Sequence, residues 1–193
     1  MIPLLSIRRA VWSLVLIASA VVSRAAVAQP SVSATSGSPA AIAHIRAVVD
    51  SVERNASRYR QTTHELDGFS LEGGEVRGFY EGTQLRKLTA HHYGESARWT
   101  EEVYFGAGEP VFIFTVTERY DSPLRKRVGV RRENRFYLQN GQAIRIVRSQ
   151  IPKASNYDFP DDDDVADLLS DLKPLMTCAA DPKKDARACT RDQ

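Results

Sequence analysis

Between residues 60 and 148 the chain is cut into segments of six to ten residues, too closely spaced to leave room for a helix between them. Residues 61–66, 75–80, 85–93, 98–105, 111–120, 131–138 and 143–148 are rich in β-branched and aromatic side chains that alternate with polar ones, the period of a strand. Turn chemistry lies between them at Glu72-Gly73-Gly74, Glu81-Gly82-Thr83, Gly106-Ala107-Gly108 and Gln139-Asn140-Gly141, where glycine and asparagine accept a positive φ. A parallel pair of strands needs a crossover of a dozen or more residues. Links this short therefore predict antiparallel hairpins, joined into a meander of about seven strands.

Helices are expected on either side of the meander. Ser38 can cap a helix whose first residue is Pro39, a position where the missing N–H is not needed. Ile42, Ile45, Val49, Val52, Ala56 and Tyr59 then recur at steps of three or four and share one face. Near the C-terminus, the acids Asp161 to Asp164 precede Val165, Leu168, Leu169 and Leu172. Carboxylates are favoured at a helix N-terminus, so a short amphipathic helix is predicted over 162–172. The expected class is α+β: an N-terminal amphipathic helix packed on the antiparallel meander, with a short C-terminal helix.

One signature recurs within the meander. Phe79-Tyr80 is followed by Gly82 and Leu85, Tyr104-Phe105 by Gly108 and Val111, and Phe136-Tyr137 by Gly141 and Ile144. Each reads as an aromatic pair, a glycine turn and an apolar return, with the aromatic packing across the hairpin. Over roughly 76–147 this resembles the aromatic–glycine hairpins of MORN-type repeat proteins and of exported bacterial proteins built in the same way. Most copies lack the second glycine of a MORN repeat. The resemblance implies hairpin architecture and no functional residue.

The ends of the chain speak of destination. Arg8 and Arg9 precede the apolar run 10–22, and Ala26-Val27-Ala28 supplies the small-x-small pattern of a signal-peptidase site. Residues 1–28 are read as a signal peptide cleaved between Ala28 and Gln29, residues 29–38 as a flexible leader, 39–176 as one α+β domain and 177–193 as a polar tail. The remaining chain has no further run of the ~20 apolar residues that a spanning helix needs. A periplasmic or secreted location follows. In such a compartment Cys178 and Cys189, the two cysteines of the chain, are expected to form a disulfide.

Several chemistries find little support. No P-loop, dinucleotide fingerprint or G-x-S-x-G elbow is present. His91 and His92 are strand neighbours and point to opposite faces, so a metal site would have to recruit His64 and a carboxylate such as Glu101; no metal and no cofactor is predicted. Glu101 and Glu102 likewise point apart, which speaks against a catalytic acid–base pair. The block Asp161 to Asp164 lacks the ligand spacing of a calcium loop.

Charge is the remaining lead. Net charge is +2. Residues 1–28 hold Arg8, Arg9 and Arg24 and no acid, so without them 23 bases face 24 acids, a net −1. Overall basicity therefore gives no argument for nucleic acid. Locally, residues 119–148 carry nine bases and two acids, while 158–173 carry seven acids and one base. Arg125, Lys126, Arg127, Arg131 and Arg132 are the candidate anion-binding residues, since arginine offers forked donors to anions. The expected role is a non-enzymatic exported domain that binds a protein partner or an anionic envelope component through its sheet or basic hairpin. The alternatives are a periplasmic hydrolase or metal-dependent enzyme using His64, His91 or His92, and a structural module of the envelope. The acidic segment could also lie over the basic hairpin.

Overall fold

A computed structural model of the chain describes residues 31–33, 37–122, 124–149, 165–180 and 189–190. Seven strands follow one another across a single antiparallel sheet: β2 (Arg60–Asp67), β3 (Gly74–Glu81), β4 (Gln84–Tyr93), β5 (Ala97–Gly106), β6 (Glu109–Tyr120), β7 (Val128–Gln139) and β8 (Gln142–Arg148). Each lies within a few residues of its expected position. Two short strands complete the edges. β1 (Ser31–Ser33) pairs antiparallel with β8, and β9 (Cys189–Thr190) pairs parallel with β2. The segment 29–38, expected as a leader without structure, thus contributes a strand at 31–33. Three residues of backbone pairing suffice for that, and Ser-Val-Ser gives no apolar signal from which to foresee it. Short strands such as these also blunt the open edges of a sheet.

The recurrent aromatic–glycine signature coincides with irregularities in register. At each of these hairpins the pairing skips one residue on the returning strand: Arg86 opposite Phe79/Tyr80, Val111 opposite Tyr104/Phe105 and Ile144 opposite Tyr137/Leu138. Such bulges strengthen local twist and re-aim a side chain. Val111 and Ile144 both join the apolar cluster on one face. In the β7–β8 turn Asn140 has φ 52° and Gly141 φ 71°, the left-handed pair that a two-residue hairpin of matching twist requires.

The pleat sends alternate residues to the two faces, and a helix covers part of each. α1 (Pro39–Asn55) begins as expected: Ser38 Oγ accepts from the Ala41 N–H at 3.1 Å, with Pro39 in the first turn. Its buried Ile42, Ile45 and Val52 pack on Tyr104, Phe112, Tyr137 and Ile144. Phe112 stands edge-on to Tyr137, ring centroids 5.0 Å apart, a favoured aromatic geometry. One 3-10 turn (Ala56–Arg58) then leads into β2.

On the other face, α2 (Val165–Ala180) lays Leu168, Leu172, Leu175 and Ala179 on a larger cluster built from Leu66, Val76, Leu88, Val103, Phe105, Ile113 and Phe136. The expected helix covers 162–172, and an internal proline such as Pro174 removes one hydrogen bond and crowds the preceding turn. Instead the helix continues through Pro174 to Ala180. Beyond the proline, Leu175, Cys178 and Ala179 extend the buried stripe, and the sheet itself caps the end. The Tyr80 hydroxyl and Thr62 Oγ1 both donate to the Ala179 carbonyl, at 2.8 and 2.9 Å, satisfying an oxygen that a helix terminus leaves open. Residues 177–180 are therefore helix, not polar tail. Asp161 to Asp164, and the cleavage pair Ala28/Gln29, lie outside the described residues.

Cys178 and Cys189 lie at disulfide distance, with Cα atoms 5.8 Å apart. The bridge ties the end of α2 to β9. Closing an 11-residue separation contributes about 3 kcal/mol by restricting the unfolded chain.

Gly78 sets how closely α2 approaches. A Cβ there would stand 2.7 Å from the Tyr80 ring, 2.9 Å from Thr62 Oγ1 and 3.2 Å from the Ala179 Cβ. Gly78→Val is expected to lift the C-terminal turn of α2 and destabilise the fold by about 1–3 kcal/mol, read as a fall in the urea midpoint. Gly82→Ala is the comparison, in a turn where the same atom meets nothing within 4 Å. Its residual cost comes from its positive φ of 61° alone.

Candidate functional site

The five candidate bases do not form one patch. Arg125, Lys126 and Arg127 sit in the β6–β7 connection, whereas Arg131 and Arg132 are neighbours on β7 and point to opposite faces. Arg131 lies opposite Glu118, on the face that carries α1; Arg132 lies opposite Thr117, on the face that carries α2. The strand rule applied to the histidine pair would have separated these two from sequence alone.

Most of these bases meet carboxylates of the same chain. Lys126 Nζ is 2.7 Å from Glu72 Oε2, so the β6–β7 connection is tied to the β2–β3 connection. Arg127 pairs with Asp121. Across three strands runs a ladder in which Glu118 accepts from Arg98 at 2.5 Å and from Arg131 at 2.9 Å, and Glu133 accepts from Arg131 at 2.9 Å and Arg135 at 2.8 Å. Burial alone would raise Glu118 and Glu133, but their guanidinium partners outweigh it and hold both below the usual carboxylate range. In each of these pairs the cation is the outer member. Arg127, for example, is 76% exposed over Asp121 at 23%. Arg125 makes no ion pair with a described residue.

Beside these cations project two apolar side chains that the sequence reading did not single out. Leu71, in the β2–β3 connection, and Leu124, in the β6–β7 connection, are 94% and 96% exposed. They sit in the two connections that the Lys126–Glu72 pair joins. The signal for Leu124 was available in its setting, a lone leucine before three consecutive bases.

The histidines scatter. His64 and His92 share the α2 face but lie two strands apart, roughly 10 Å at ordinary strand spacing. His91 occupies the opposite face with Nδ1 3.1 Å from Thr100 Oγ1, and burial lowers its pKa. Among the described residues no three His, Cys, Asp or Glu side chains gather as a metal would require. His92 is buried and stacked on Trp99, centroids 4.9 Å apart and planes 12° from parallel. Its Nε2 stands 3.9 Å from Glu101 Oε2, outside hydrogen-bond reach. Glu102, as expected of a strand neighbour, faces the other way.

Next to that stack is a cleft of about 440 Å³ between α2 and the sheet. Trp99, Glu101, Thr115, Thr117 and Arg119 line it from β5 and β6, and Asp167, Leu168 and Asp171 line it from α2.

A different cluster holds α1 in place. Lys87 is almost fully buried, with Nζ 2.7 Å from Glu53 Oε1 and 3.3 Å from Glu102 Oε2. The Tyr104 hydroxyl lies 2.6 Å from Glu53 Oε1 and 2.7 Å from Glu102 Oε2; its single proton serves one carboxylate at a time. Burial, reinforced by the two carboxylates, pushes the Tyr104 phenol far up, so it remains a donor. Lys87 also lies 4.9 Å from the Tyr104 ring centroid, within cation–π range. These side chains bond one another across the two elements, which makes the cluster a latch between helix and sheet.

Compared with protein families, with curated proteins and with solved structures, the chain finds no match. Among the described residues no helix is long and apolar enough to cross a membrane.

Burial would raise Glu53, but hydrogen bonds from Lys87 and Tyr104, with the charge of Lys87, bring it below its ordinary 4.5. A carboxylate depressed on folding stabilises above its unfolded pKa and loses that contribution as pH falls through the folded one. Stability should therefore decline below about pH 4.5. Glu53→Gln should cost about 1 kcal/mol at neutral pH, a figure discounted for the half-exposed carboxylate. It should also flatten the acid decline, measured by urea midpoints between neutral and acid pH. An unchanged acid profile in Glu53→Gln would remove Glu53 from the latch.

Proposed function

We propose that this chain is an exported, non-enzymatic binding domain that seats the end of its sheet on an anionic surface of the cell envelope. The observation that carries the reading is the arrangement around the β6–β7 connection. Two almost fully exposed leucines project from connections held together by Lys126 and Glu72, and the surrounding ion pairs keep their cations outermost. Exposed ion pairs are worth little individually, so arginine and lysine can exchange a carboxylate of their own chain for a lipid phosphate. An apolar side chain flanked by bases is the arrangement that enters a headgroup layer, the leucine contributing burial and the bases charge. Export is supported by the signal-peptide pattern of residues 1–28 and by a cysteine pair at bonding distance, which suits an oxidising compartment.

Arg125, Lys126 and Arg127 are the residues assigned to this contact, with Leu124 and Leu71. Arg131 belongs to the outer cation layer of the neighbouring ladder. Arg132, on the α2 side of β7, has no part in this reading.

The test is cosedimentation with phosphatidylglycerol-containing vesicles against vesicles of phosphatidylcholine alone. Binding should prefer the anionic vesicles and weaken as salt rises. Replacing Arg125, Lys126 and Arg127 together by alanine should lower it about tenfold or more, and Leu124→Ala should lower it for both vesicle types. Equal binding to the two vesicle types, or full retention by the triple variant with an unchanged urea midpoint, overturns the proposal.

A further inference from the structure

The cleft between α2 and the sheet holds polar groups whose needs the described chain does not meet. Thr115 is only 5% exposed, lines the cleft and has no hydrogen-bond partner for Oγ1. The Glu101 side chain is 14% exposed, and among the described residues its basic neighbour within 4 Å is His92, at 3.9 Å. His92 is itself buried, and neither of its ring nitrogens is hydrogen-bonded. A buried hydroxyl without a partner is costly, and a buried carboxylate without a close cation more so. One threonine could be an incidental defect. A threonine, a carboxylate and a tryptophan bordering the same 440 Å³ space form a built site.

We infer that this cleft binds a small organic cation, an amine or quaternary ammonium with a short aliphatic body. The sign of the charge follows from the lining, in which Glu101, Asp167 and Asp171 outnumber the one base, Arg119, with Glu101 on the sheet wall and Asp167 on the facing helix. A cation placed between them would meet carboxylates from both walls. Trp99 supplies the second element. Its ring borders the cleft while His92 stacks on it, and an indole face attracts a cation and packs against methylene or methyl groups. Thr115 and Thr117, two apart on β6, share one face of the sheet and both line the cleft, where one polar substituent of the ligand could be held. Leu168 closes the α2 wall with apolar surface. The volume matches the lower range of small-molecule sites.

This site lies on the α2 face and is independent of the surface contact proposed above. It is tested on the full chain carrying Trp12→Phe, so that Trp99 is the one tryptophan left of two. Choline and putrescine are titrated against its emission and by calorimetry, at constant ionic strength. 3,3-Dimethylbutan-1-ol, the uncharged counterpart of choline in shape, is the control. At least one cation should give a saturable change with a midpoint in or below the millimolar range, about −4 kcal/mol or tighter, and the alcohol none. Glu101→Gln should weaken binding at least about tenfold. Asp167→Asn, on the exposed side of α2 where folding is not at risk, should weaken it severalfold. Glu75→Gln, on the other face of the sheet, should leave it unchanged. The inference is overturned if neither cation saturates, if the alcohol binds as well as choline, or if Glu101→Gln and Asp167→Asn both bind like the parent.

Discussion

The pleat of one continuous hydrogen-bonded ladder governs this molecule. From β8 to β2 every strand pairs with its neighbour in the chain, and a side chain's face is decided by whether its position is odd or even along the strand. Both faces must then be covered or made polar. α1 covers part of one with Ile42, Ile45 and Val52, and α2 covers part of the other with Leu168, Leu172 and Leu175. Where neither helix packs down directly, the strands carry mostly polar side chains. On the α1 side this gives the ladder of Arg98, Glu118, Arg131, Glu133 and Arg135. On the α2 side it gives the cleft bordered by Trp99, Glu101 and Thr115.

The hairpins could be read from the sequence because their physics is local. A turn with Asn140-Gly141, or a glycine between two alternating segments, fixes a reversal without reference to distant residues. The cap at Ser38 and Pro39 is local in the same way. The course of α2 was not. Its end beyond Pro174 is held by Tyr80 and Thr62, about a hundred residues earlier, which donate hydrogen bonds to the Ala179 carbonyl. Nothing near Pro174 announces them. The strand at 31–33 is equally a matter of tertiary pairing, with β8 as its partner.

The site was legible in part. The excess of bases over 119–148 was evident, but a linear count cannot show that Glu118 and Asp121 lie beneath several of them, or that Glu72 comes from a connection fifty residues away. The same count merged Arg131 with Arg132, although the pleat separates them. Trp99, Glu101, Thr115 and Thr117 carry the right spacing on their strands, yet only the register of β5 against β6, with α2 across from them, makes them one wall. The latch of Lys87, Glu53 and Tyr104 joins three elements and has no sequence pattern at all.

The order of strands has a temporal meaning. Because space and sequence run in step from β2 to β8, each hairpin can close as soon as its second strand emerges, with little loop entropy to overcome. Only the two marginal strands break this progression. β1 must wait for β8, and β9, with its cysteine, arrives after the other described strands. A chain delivered from its N-terminus can therefore zip up strand by strand and be fastened last at its end, which keeps the interval of exposed, unpaired edges short.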